Sequence, residues 1–241
     1  MITYTNAATR TVGFWSAVLA TVFSLIYVVA QLAEWAGWLG STGGPESSST
    51  PLGIVVLLTP SILLGSSFLV LLASIHQAAA PEKRVWSQTA LAFGTVYAVL
   101  ISMTYFVQLT LVGPRIAEGR TEGIEMLLFV PFDSFLYSVD LLGYSFMSAA
   151  TLFAAPVFER RGLEGTARWF LIANGLLIPF LVGQLYVNAL IWPAAAWAVT
   201  FPGATWALAL VFHRLEISEP ARASAGPAPS SASPEPQTAG W

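Results

Sequence analysis

Six apolar runs decide what this chain can fold into: Gly13–Leu32, Leu52–His76, Trp86–Leu111, Pro131–Phe158, Trp169–Asn188 and Ala194–Phe212. A helix needs about 20 apolar residues to cross a hydrocarbon core of about 30 Å, and each run is close to that length or beyond it. Hydrophobic residues make up 56% of the chain and charged ones 10%, against about 25% charged in an ordinary soluble domain. A soluble core of this size cannot bury so much apolar sequence, so the solvent for most of it is lipid. The expected fold is all-α: a polytopic membrane protein with six transmembrane helices over 13–36, 52–77, 86–112, 131–158, 168–190 and 193–213. Short loops join them within a single domain, 13–216. Residues 1–12 form a short N-terminal segment, and 217–241, rich in Pro, Ala and Ser from Pro220 on, reads as a disordered tail.

Six crossings put both termini on one side. That side then holds Arg10, Lys83, Arg84, Arg160, Arg161, Arg168, Arg214 and Arg222, and the other side only Arg115 and Arg120. Cytoplasmic loops carry the excess of Lys and Arg, so both termini are expected in the cytoplasm of a multi-pass protein of the cell membrane. Tryptophans fall at the same boundaries: Trp15, Trp86 and Trp169 at inner ends, Trp35, Trp38 and Trp192 at outer ends. The first run is too long for a cleavable signal core and reads as a retained signal-anchor helix.

The fourth run carries two carboxylates where lipid tolerates few. Asp133, Tyr137, Asp140, Tyr144, Ser148 and Thr151 follow one another at steps of three or four, which places all six on one helix face. An ionised Asp near a bilayer centre costs about 2.5–3.5 kcal/mol even on the lenient insertion scale, so that face must point into the protein or at water. This helix starts either near Met126 or at Pro131–Asp133. The second start is preferred, because a straight helix from Met126 to Phe158 overshoots the hydrocarbon thickness.

Other helices bring polar side chains to the same depth. The first carries Ser24, Tyr27, Gln31 and Glu34 towards its outer end, the third Tyr105 and Gln108, and the fifth Gln184 and Asn188. The combination predicts an outward-facing polar pocket narrowing towards Asp140, flanked by Tyr137 and Tyr144, with Asp133, Gln31, Tyr27, Glu34, Gln108, Tyr105, Gln184 and Asn188 around it. Each residue also has a plainer reading. Polar groups near helix ends meet headgroups and water in any membrane protein, and Asp133 suits the N-cap of the fourth helix. Asp140 itself could be a structural acid tied to Gln31, Gln108 or Gln184. Pro60 is expected to kink the second helix or set its first turns, and Pro202-Gly203 to break the sixth.

Sharper chemistries fail on residue type or spacing. There is no cysteine, which removes disulfides, thiol nucleophiles, Cys-ligated metals and iron–sulfur clusters. Asp133 and Asp140 stand two turns apart on one helix and cannot share a proton as an aspartyl pair does. The only histidines, His76 and His213, lie at inner ends, far from any outer pocket, and the single lysine, Lys83, is in a loop. No catalytic constellation, metal site or cofactor is expected. A net charge of −3 without a basic patch argues against nucleic acid. Three functional classes stay open: a binding or transport protein using the pocket, a non-catalytic accessory subunit, and a membrane enzyme acting on a lipid or small amphiphile through Asp140. The partners implied are the lipid bilayer, a small-molecule or ion ligand, and another membrane protein or a second copy of this chain.

Overall fold

The structure is a computed structural model that describes residues 4–44, 49–130 and 132–217. The expected tail from 218 onward, Arg222 within it, and Pro131 lie outside the described residues. Among those described, six helices are long and apolar enough to cross a membrane.

Local chemistry at the helix starts sets where they begin. α1 runs Ala7–Trp35, starting ahead of its apolar stretch because the Asn6 side chain accepts the Thr9 N–H at 2.7 Å. α2, Pro51–Ala78, has Thr50 as its cap and a proline in the first position, where the missing N–H costs nothing. It continues through Pro60, beside which the Ser61 hydroxyl donates to the Leu57 carbonyl at 3.0 Å. α3, Arg84–Val107, passes through a π-helical turn, Gln108–Val112, into α4, Gly113–Ala117. The third crossing is therefore longer than the expected 86–112, and the charged loop after it is shorter.

α5, Phe135–Ala154, starts later than expected. Its cap is Ser134, whose hydroxyl accepts the Tyr137 N–H at 3.1 Å. Asp133 precedes the cap and is exposed. The fifth crossing is α6, Gly162–Gly175, followed by α7, Ile178–Gly183. It is interrupted because Pro179 has no N–H for the Gly175 carbonyl. The chain turns back at residues 184–186, earlier than the expected reversal at Trp192-Pro193. The sixth crossing is α8, Ile191–Ala194, and α9, Trp197–Arg214. Here the expected break at Pro202-Gly203 is absent, since α9 runs straight through both; the interruption falls at Ala195-Ala196 instead.

Each crossing packs against its neighbours in sequence, and α9 returns to pack on α1, closing the six into a ring. Close approach is possible where glycine faces a large side chain. A methyl on Gly13 would lie 2.4 Å from the Phe212 ring, and one on Gly203 2.6 Å from Phe170. The ring's interior is filled across its middle by Phe68, which packs edge-on against Phe201 and Tyr97 at centroid separations of 5.1 and 6.0 Å. Outside, Val29, Val99 and Val199 are each more than 60% exposed. Valines so exposed at mid-helix need lipid as their solvent, and the chain is an integral membrane protein.

At the end of the ring where the first and last described residues lie, cations donate to carbonyls at the helix ends. Arg10 donates to the His213 carbonyl at 2.6 Å, Lys83 to Val157 at 2.9 Å, and Arg168 to Phe158 at 3.0 Å. Tyr4–Thr5 and Glu216–Ile217 also pair there as two short parallel strands, so both ends of the bundle's chain meet.

Candidate functional site

A cavity of about 430 Å³ occupies the opposite end of the ring. α1 contributes Tyr27, Gln31 and Glu34, and α2 contributes Gly53, Ile54, Leu57 and Leu58. Phe129 and Phe132, ahead of α5, stand where α3 would otherwise form the wall, and α5 supplies Tyr137, Asp140, Leu141 and Tyr144. Leu181 and Gln184 come from the fifth crossing, and Ile191, Trp197 and Ala198 from the sixth. The interruption of the sixth crossing, at Ala195-Ala196, lies next to the cavity. Irregular backbone at membrane depth is tolerated where it is enclosed by protein or lines a cavity, and here it does.

Most of the wall is apolar, which differs from the polar pocket expected from the sequence. Polar groups form an inset in it. Asp140 is 7% exposed, and its Oδ1 has no hydrogen-bond partner among the described residues. Behind the wall, the Tyr105 hydroxyl lies 2.9 Å from that of Tyr144. Tyr137 donates to the Gln184 side-chain oxygen at 3.1 Å, and Gln184 in turn donates to the Leu181 carbonyl at 3.2 Å. Tyr27 donates to Gln31 at 3.3 Å. Tyr27, Tyr97, Tyr105, Tyr137 and Tyr144 cluster around Asp140.

A second carboxylate lies nearer the loop that joins α1 to α2. Glu34 is 7% exposed, and its Oε2 also lacks a partner among the described residues. It lies against the bare Cα of Gly53, where a methyl would come within 2.7 Å of Oε2. Tyr27 is two helical turns deeper on α1, about 10 Å at 1.5 Å per residue. The cavity thus has one acid towards its floor and one towards its mouth. Among the described residues, no Lys, Arg or His lines it.

Of the residues singled out from the sequence, Tyr27, Gln31, Glu34, Tyr137, Asp140, Tyr144 and Gln184 line this cavity, and Tyr105 stands one hydrogen bond behind it. Three lie elsewhere. Asp133 is exposed before the α5 cap. Gln108 sits in the π turn and donates to the Leu127 carbonyl at 2.6 Å, tying that turn to the following loop. Asn188 is exposed in the connection between the fifth and sixth crossings.

Other residues gave no polar signal. Trp197 packs against both Tyr27 and Tyr144, at 5.3 and 5.9 Å. Its position five residues inside Trp192 was the only hint that it does not belong to the interfacial belt. Phe132 adopts a left-handed backbone, φ 67°, while its ring lies 4.9 Å from Tyr137. Such a conformation costs a non-glycine residue about 1–2 kcal/mol, here offset by packing in the cavity wall. Asn174, fully buried, donates to Thr151 at 3.2 Å and accepts from Thr200 at 3.0 Å, joining α5, α6 and α9 below the cavity.

Among the described residues, no group of three His, Asp or Glu could hold a metal ion. Fold and surface define the class: an integral membrane protein of six helices closed into a ring around an internal cavity. No protein-family model, curated protein or solved structure matches this chain.

Proposed function

We propose that this protein binds a small molecule in the cavity at Asp140, as a receptor or carrier of the cell membrane. The observation that carries the reading is the Asp140 Oδ1, buried against the cavity without a partner among the described residues. A buried carboxylate oxygen left unpaired costs more than a hydrogen bond contributes, so a purely structural acid would be expected to have both oxygens satisfied. A volume of about 430 Å³ falls within the range of about 300–1,000 Å³ typical of small-molecule sites. Apolar walls with a few convergent polar groups are also typical of such sites.

Orientation follows from charge. The end opposite the cavity carries Arg10, Lys83, Arg84, Arg160, Arg161, Arg168 and Arg214, which by the positive-inside rule is the cytoplasmic end. The cavity then faces outward. The aromatic packing of Phe68, Phe201 and Tyr97 beneath it closes the ring's middle, so passage to the other side would require those rings to move.

The test is ligand-dependent thermal unfolding of the purified full chain against a chemically diverse panel of small solutes, in parallel with Asp140→Asn. Stabilisation of the wild type by some solutes, lost in the variant at equal expression and folding, supports the reading. A panel with no stabilising member, or stabilisation untouched in Asp140→Asn, contradicts it.

A further inference from the structure

The chemistry lining the cavity restricts what it would accept. Among the described residues, two carboxylates, Asp140 and Glu34, each present a buried oxygen without a partner, and no cationic side chain of the lining neutralises either. The ligand must therefore bring the positive charge, or both acids must remain protonated. An anion would meet two acids and no compensating cation. A neutral ligand would be accommodated only with both acids protonated, which a comparison of amines with neutral solutes tests.

A bare inorganic cation fits poorly. Ca²⁺ takes six to eight oxygen ligands and Mg²⁺ near-ideal octahedral geometry, whereas the rest of this wall is leucine, isoleucine and aromatic ring. Rings are what an organic cation uses. Trp197 makes tilted ring contacts with both Tyr27 and Tyr144 and shares the cavity lining with Asp140, and aromatic faces attract ammonium groups, tryptophan most strongly.

We propose that the site is selective for organic amines in their cationic form, with the ammonium group on Asp140 among the rings of Trp197, Tyr27 and Tyr144 and the apolar body along Leu57, Leu58 and Leu181. Glu34, towards the mouth, offers a second ammonium position, so a linear diamine long enough to reach both acids binds more tightly than its monoamine. This proposal rests on the binding reading above and narrows it to one ligand class.

The experiment uses the full chain in lipid nanodiscs, with Trp fluorescence and thermal unfolding as readouts. Benzylammonium, tetraethylammonium and 1,8-diaminooctane are compared with benzyl alcohol, benzoate and inorganic salts. The amines are expected to stabilise the protein, with affinity falling about tenfold or more in Asp140→Asn. Glu34→Gln is expected to weaken the diamine and spare benzylammonium. Benzyl alcohol binding as well as benzylammonium overturns amine selectivity while leaving the binding reading intact. So does stabilisation by benzoate or by inorganic cations alone. Silence from all the amines, with other solutes stabilising through Asp140, also overturns only the amine proposal. If Asp140→Asn does not fold, protection of a single cysteine at Gln184→Cys from thiol reagents by each probe gives the same comparison.

Discussion

The carboxylate of Glu34 lies in the space that a side chain at residue 53 would take: a methyl on Gly53 would sit 2.7 Å from Oε2 and 3.0 Å from Cδ. α1 and α2 are thus joined at the cavity mouth by an acid resting on bare backbone. Glycine at this position keeps that acid in place.

Gly53→Ala is therefore expected to act on Glu34 more than on the fold. The clash is with the free end of a long side chain, and alanine is the better helix former, so stability should change by no more than about 1 kcal/mol. Binding of a dicationic probe should weaken as it does in Glu34→Gln, with the double variant no worse than either single one. Titrations of the four proteins check this; additive losses would show that the two residues act independently.

Two buried tyrosines should respond in opposite directions. The Tyr105 hydroxyl shares a hydrogen bond with that of Tyr144 across α3 and α5, so Tyr105→Phe is expected to cost about 0.6–1.7 kcal/mol, the range for hydrogen bonds between helices in a membrane. Tyr97 is fully buried and its hydroxyl has no partner among the described residues. Tyr97→Phe should be neutral or stabilising by up to about 1 kcal/mol. Equilibrium unfolding in mixed detergent micelles separates the two.

Asn174 should be the most costly polar side chain to remove. Asn174→Ala breaks bonds to both Thr151 and Thr200 and is expected to cost about 1–3 kcal/mol. Thr151→Val and Thr200→Val should each cost less. Each hydroxyl also bonds a carbonyl on its own helix, at Ser148 and Ala196, and that local bond is all the substitution removes beyond the shared one. The same unfolding assay measures all three.

The cavity's polar residues were readable in advance largely because lipid makes a polar residue conspicuous. Tyr137, Asp140 and Tyr144 recur at helical spacing, and no arrangement in a bilayer exposes all three cheaply. Gln31 and Gln184 were conspicuous for the same reason. Apolar contributors such as Leu57, Leu58 and Leu181 were not, since a leucine facing a cavity and one facing lipid look alike in sequence. Capping residues were ambiguous for a different reason. Asp133 and Ser134 are both good caps, and which one the chain uses depends on the turn formed by Phe129 and Phe132, whose left-handed backbone nothing in the residue type announces. Prolines misled in both directions. Pro179 interrupts the fifth crossing after Gly175. Pro202 leaves α9 intact, the helix running through it from Trp197 to Arg214. The π turn at Gln108 has no sequence signature beyond the glutamine that anchors it.

The account depends on Asp140 facing an accessible cavity and not lipid, and the chain's lack of cysteine makes that directly measurable. Single cysteines at Asp140→Cys, Gln184→Cys and Val99→Cys are exposed, in intact cells, to a charged, membrane-impermeant methanethiosulfonate reagent added outside. Labelling at residues 140 and 184, with residue 99 inert on the exposed face of α3, is the predicted result. Inert cysteines at both 140 and 184, in protein that is folded and present at the surface, would contradict it.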